Sequence, residues 1–204
     1  MLRPLFVALA VAVIASGAAA QNVSKDPTHA PNGAYKLETE HSLVIFSIAH
    51  LGLTDYYGRF DRLSGTLNFD ANEPEKSATN ISIDTGSVDT PSSRLNDMLK
   101  DGGFFASGDF PSATFKSKTI TRTGPDTGTI TGDLTIKGVT KPVVLDAVFH
   151  GGGSDPLTGN YALGFHASGT IKRSDYGLTN TIWSSFVGDD VHLVIEALFK
   201  QEKE

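Results

Sequence analysis

The sequence predicts an all-β domain: about eight antiparallel strands forming a sandwich or a closed barrel, with one short helix inserted. Three observations carry this. From Tyr35 onward, apolar and polar residues alternate with the two-residue period of a strand. Turn-forming clusters of Gly, Pro, Asn and Asp interrupt the alternation at short intervals. The 204 residues include 21 Gly and 12 Phe, a balance that suits strands and turns better than helices.

At the N-terminus, Arg3 precedes an apolar run over 5–15, and Ala18, Ala19 and Ala20 offer the small residues that a signal peptidase accepts. The run is about half the ~20 residues needed to cross a bilayer. Residues 1–20 are therefore expected to be a cleavable signal peptide, with export to the periplasm and a mature start at Gln21. Residues 21–34 are polar and proline-bearing, and are expected to form a flexible leader ahead of a single domain over 35–204.

Ile81 and Ile83 alternate with Asn80, Ser82 and Asp84. Ile130, Gly132, Leu134 and Ile136 alternate with Thr129, Thr131, Asp133 and Thr135. Leu163, Phe165, Ala167 and Ile171 alternate with Gly164, His166, Ser168 and Thr170. Each segment has one apolar and one wet face, as antiparallel sheets allow. Further strands are expected at 35–50, 57–69, 112–123, 141–150 and 190–200. Over 89–100 the period changes: a capping residue, Pro91, and Leu95, Met98 and Leu99 at helical spacing predict a helix of about three turns, stopped by Gly102 and Gly103.

If the strands run up and down, the connections at 70–77, 124–128 and 151–159 fall at one end, and all are short and polar. Those at 51–56, 86–111, 138–140 and 175–189 fall at the other, mostly long, with Tyr56, Tyr57, Phe104, Phe105, Phe110, Trp183 and Phe186. One closed polar end and one elaborate aromatic end describe a cup, a shape that can hold a small apolar ligand.

Several chemistries are excluded. There is no cysteine, which removes disulfides, thiolate metal sites and cysteine nucleophiles. A net charge of −6 with no basic tract argues against nucleic acid. The six histidines form no HExxH or other metal spacing, Gly-x-Ser-x-Gly is absent, and Gly151-Gly152-Gly153 precedes a turn and not a helix. Asp189 and Asp190 read as a solvated turn, without the apolar surroundings that raise a carboxyl pKa.

A set of blocks recurs in a defined order: His41 with Val44-Ile45-Phe46 and His50-Leu51-Gly52; Tyr57-Gly58-Arg59-Phe60; Ser87-Val88-Asp89-Thr90; and Phe110-Pro111-Ser112-Ala113-Thr114-Phe115. Then come Gly132-Asp133-Leu134-Thr135-Ile136-Lys137-Gly138-Val139-Thr140-Lys141-Pro142-Val143, Ile171-Lys172-Arg173 with Tyr176-Gly177, and Val187-Gly188-Asp189. In these blocks the sequence resembles the YceI-like family of periplasmic lipid-binding proteins, over about 35–198. The resemblance implies a lipocalin-like, up-and-down barrel that encloses a polyisoprenoid chain. One departure is plain. Where family members often carry Arg-Asp-x-His-Leu in the helix, this chain reads Leu95-Asn96-Asp97-Met98-Leu99, with Arg94 one place earlier.

Alternation places Phe46, Ile48, Phe60, Ile81, Ile83, Phe115, Leu134, Ile136, Phe165, Leu193 and Ile195 on the inward face. By itself that set describes a solid core; with the resemblance it describes the lining of a hollow barrel. His50 continues the Val44, Phe46, Ile48 face toward the aromatic loops, where an imidazole could hydrogen-bond a quinone carbonyl or a phosphate. The alternative for His50 is a structural bond to a loop carbonyl. Trp183, with Tyr56 and Phe105, either caps the barrel or forms a portal at that end.

The expectation is a binding protein without catalytic residues, metal or cofactor, carrying an isoprenoid quinone or polyprenyl phosphate. Burying five carbons at ~0.8 kcal/mol each gives about 4 kcal/mol gross per isoprene unit, so a few units hold a lipid whose head stays in water. Transient membrane contact and a homodimer remain open as further partners. The rival readings are an enzyme acting on such a lipid at the barrel mouth and a stress-related scavenger with an incidental pocket.

Overall fold

The structure, a computed structural model, describes residues 23–179, 182 and 185–202. Its strands are β1 Gly33–His50, β2 Thr54–Phe60, β3 Leu63–Phe69, β4 Ala78–Asp84, β5 Val88–Asp89, β6 Ser112–Arg122, β7 Thr127–Ile136, β8 Val139–Ser154, β9 Tyr161–Lys172 and β10 Val187–Gln201, with a single α-helix among the described residues, α1, at Ser93–Lys100. All pairings between strands are antiparallel, and β10 closes on β1. The result is a closed eight-stranded barrel, because β2 and β3 are one wall strand broken at Asp61 and Arg62, and β5 only flanks β2.

The 18-residue β1 is long enough to serve both halves of that broken strand. Its first residues pair with β3 and Val44–His50 pair with β2. Between them lies a bulge, where β1 and β10 shift register between Glu38 and Leu43. Both the N–H and the Nδ1 of His41 meet the Glu38 carboxylate at 2.8 Å, and Ser42 Oγ accepts from Leu198 N–H at 3.0 Å. His41 therefore holds the bend that lets the sheet curl shut.

Two glycines fall where the barrel is tightest. A Cβ on Gly58 would lie 2.3 Å from Phe46 Cζ, and one on Gly132 would lie 2.5 Å from Phe115 Cζ. The outer end of each ring occupies the space that a side chain on the neighbouring strand would fill. The β7–β8 hairpin turns on Lys137 and Gly138, both at positive φ, the tight geometry matched to strand twist.

The helix is shorter than expected. Pro91 lies ahead of it, Ser92 caps it by accepting from Leu95 N–H, and it runs eight residues. Asn96 anchors it to β5: its amide oxygen accepts from Thr90 N–H at 2.7 Å and its nitrogen donates to Asp89 at 3.0 Å.

The leader is not loose over the residues described. Ser24 exchanges two backbone hydrogen bonds with Gly152, at 2.9 and 2.8 Å. Asp26 caps a 3-10 turn at Pro27–His29, and Pro27 and Ala30 are buried. The Tyr35 hydroxyl donates to Pro31 O at 2.7 Å, and Asn32 accepts from Ala71 N–H at 2.7 Å. Backbone pairing and burial of prolines, which composition does not reveal, fasten this segment across one end of the barrel.

Two apolar clusters fill the interior, and both draw on β8 and β9. One gathers Tyr35, Leu37, Phe60, Leu67, Phe69, Phe149 and Phe199; the other Phe115, Leu134, Ile136, Leu145, Ile171 and Tyr176. Ile81, Ile83, Phe105, Leu193 and Ile195 pack against both.

Candidate functional site

Within the barrel lies a cavity of about 200 Å³, bounded almost wholly by apolar atoms. That is more than ten times the roughly 10–15 Å³ a single water needs, and the lining offers water few partners. The inward residues of β8 (Val143, Leu145, Ala147, Phe149) face those of β10 (Leu193, Ile195, Ala197, Phe199), with Ile81, Ile83 and Phe115 from β4 and β6 alongside. Ring packing sets its shape: Phe165 sits 5.3 Å from Phe149 and 6.0 Å from Phe199, centroid to centroid.

Seven of the residues expected to line the cavity do so: Ile81, Ile83, Phe115, Leu134, Phe165, Leu193 and Ile195. Phe46, Phe60 and Ile136 point inward but lie below it. Phe105 drops from the segment after α1 onto Phe60, with centroids 5.3 Å apart and rings edge to face, and Phe46 stands 5.6 Å from Phe60. Ile136 is 7% exposed, in the cluster with Tyr176 and Leu178 from the 173–186 connection. These residues make a floor. Ile48, half-buried, and His50, opposite Val187, lie beyond it on the extension of β1, away from the cavity. Trp183 lies outside the described residues. The period of two gives the face of a strand but not the depth along it, and depth separates lining from floor.

The end at which the cavity opens also differs from expectation. Pro27, Pro74, Ser77, Arg122, Pro125 and Asp126 border it, all from the end with short polar turns. Strand lengths explain this. β4 pairs with β6 only from Asn80 to Asp84, and β6 shifts register between Ser117 and Thr119, then continues with β7 alone to Arg122. The last link across the seam is Thr79 N–H donating to Ser117 Oγ at 2.9 Å. Beyond it the direct pairing of β4 with β6 ends, the 3-10 turn at Pro74–Lys76 lies against β6 in its place, and Pro74, Pro125 and Pro27 of the leader border the cavity.

Arg122 and Asp126 are the charged residues of the lining. Arg122 Nη2 donates to Pro125 O at 3.2 Å. Asp26 is held below the usual carboxylate range, first by the Thr28 hydroxyl and N–H, with His29 and Arg122 adding attraction. Asp26 and Asp126 sit in turns and Arg122 ends β6 after a register shift, so alternation carries no signal for this rim. The missed wall residues were within reach of it: Ala197 and Phe199 simply continue the Leu193, Ile195 parity.

Among the described residues, no group of three His, Asp or Glu could hold a metal ion. The outward histidines are engaged locally: His166 with Glu196 at 2.8 Å and stacked on His150, His192 with Thr170 at 2.9 Å. Asp189 and Asp190, expected in a solvated turn, lie in β10, and Asp189 braces the 3-10 turn at Arg173–Tyr176 by accepting from Ser174 N–H at 3.0 Å and its hydroxyl at 2.7 Å.

A family model described as YceI-like domain matches residues 35–199, from Tyr35 in β1 to Phe199 in β10. The chain belongs to the YceI-like family. It is 41% identical over 163 residues to a UPF0312 protein of Pectobacterium atrosepticum, covering 79% of this chain and 83% of that one. Among solved structures, the Campylobacter jejuni YCEI protein is 32% identical with a TM-score of 0.66, covering 76% of this chain and 90% of that one. A domain from Saccharophagus degradans described as polyisoprenoid binding shares the fold, with a TM-score of 0.63 at 17% identity, covering 84% of this YceI-like chain and all of that one.

Proposed function

We propose that this protein is an exported carrier or store of an amphiphilic isoprenoid, a quinone or a polyprenyl phosphate, and that it binds this lipid without transforming it. The observation that carries the reading is the apolar cavity, closed by an aromatic floor and open beside β4 and β6. An isoprenoid tail entering there exchanges water for Phe, Leu and Ile side chains, the head staying at the rim with Arg122 and Asp126. The Saccharophagus neighbour, described as polyisoprenoid binding, supports the same ligand class. Removal of residues 1–20 would leave the strap at Ser24–Pro31 near the new N-terminus, free to dock on Gly152.

Native mass spectrometry of the protein recovered from the envelope of its own cells tests this. A stoichiometric isoprenoid, extractable unchanged, is expected. A chemically altered lipid, or none, overturns the carrier reading.

A further inference from the structure

The mouth differs in kind from the cavity behind it, and its charges bear on which head group it accepts. Three segments frame it: the leader at 23–32, the connection at 70–77, and the stretch at 122–128 that ends β6, turns and begins β7. Together they hold three cations, Lys25, Lys76 and Arg122, against five carboxylates, Asp26, Asp70, Glu73, Glu75 and Asp126. Lys76 is engaged by the Glu73 carboxylate. Arg122 is bonded to Pro125 O and lies within the field of Asp26. A terminal diphosphate, with two or more negative charges, would bring its charge to a rim that already carries a surplus of the same sign. Binding sites for such groups converge several cations or a row of N–H donors on the anion, whereas Arg122 is the one cation that borders this cavity.

We propose that the mouth selects isoprenoids with an uncharged, hydrogen-bonding head (an alcohol or a carbonyl) over those ending in phosphate or diphosphate. This rests on the carrier reading above. Arg122 serves it directly: a guanidinium has five N–H donors, and the bond to Pro125 leaves others for a neutral oxygen at the rim. The carboxylates exclude the anionic head by repulsion, so specificity comes from what the rim disfavours as much as from what it binds.

The test uses two lipids with the same twenty-carbon tail, geranylgeraniol and geranylgeranyl diphosphate, titrated into the full delipidated mature chain, with retention measured after gel filtration. Geranylgeraniol is expected to bind about tenfold or more tightly than the diphosphate at low salt. Raising the salt should strengthen diphosphate binding, because screening weakens repulsion, whereas an attractive site would lose affinity. Asp26→Asn keeps the oxygen that caps Thr28 N–H, so combining it with Asp126→Asn should narrow the gap several-fold without loosening the strap. Equal or tighter binding of the diphosphate, or affinity for it that falls with salt, overturns the selectivity and leaves the carrier reading standing. Failure of both lipids to bind overturns both.

Discussion

The two ends of this barrel are closed and opened by opposite means. At one end, long connections bring Phe105, Leu178 and Tyr176 down among Phe46, Phe60 and Ile136, and among the described residues these side chains pack into a floor. At the other, short polar turns hold few side chains large enough to fill the lumen, and a wall strand stops early, so the cavity reaches the surface beside Arg122 and Pro125. Aromatic residues in loops are easily read as a portal because they look sticky. Here they are sealant, since an aromatic ring buries a large area wherever it finds a lumen to fill. Turns that look like a lid are too small to be one.

The largest effect should come from charging the floor. Ile136→Asp places a carboxylate in a buried cluster of apolar side chains that includes Val143 and Leu178, and should cost several kcal/mol in urea unfolding. Thr135→Asp, one residue along on the outward face, should change stability by about 0.5 kcal/mol or less. Comparable losses from the two would break the inside–outside assignment on β7.

Filling the cavity should separate binding from folding. Ala197 lines it on β10, and Ala197→Phe puts a ring into empty space. Retention of an isoprenoid should fall about tenfold or more, while the unfolding midpoint stays level or rises, because void volume is removed. A large loss of stability instead would mean that the lumen has no room, and that the ends differ less than described.

The smallest effects distinguish the two buried tyrosines. Tyr35, at the mouth end, donates to Pro31 O, whereas the Tyr176 hydroxyl at the floor has no hydrogen-bond partner among the described residues. Tyr35→Phe should cost about 1 kcal/mol, and Tyr176→Phe should be neutral or mildly stabilising, as expected when an unpaired buried group is removed. Burial pushes both phenols up to about 12, from an ordinary value near 10. In the unfolded chain they lose protons first, so this contribution is present below pH 10 and is lost as the pH rises toward 12. Each Phe variant should flatten that alkaline decline, measured by thermal unfolding across pH 9–12. An unchanged slope in both would show that these phenols do not titrate differently on unfolding.

How far the sequence alone reached can be judged on single strands. Ile81, Ile83, Leu134 and Phe165 were placed on the inward face by period two, and the structure puts them against the cavity. The turn at Lys137 and Gly138 was legible because positive φ favours a particular residue chemistry. Phe46, Phe60 and Ile136 share that parity yet form the floor, and no local pattern distinguishes them from Phe165.

The sequence by itself determined that this chain would make antiparallel strands with one apolar face, and which residues would occupy that face. The reason is local: side-chain alternation is a property of each strand before any other strand is met. Only the tertiary structure decided that the sheet closes around a void, that the aromatic connections fold in to seal one end, and that the opening lies where β6 outruns β4. Those outcomes depend on strand stagger and on which distant residues meet. Phe105 and Phe60 stand 45 positions apart in the chain and 5.3 Å apart in space, a meeting that no window of sequence contains.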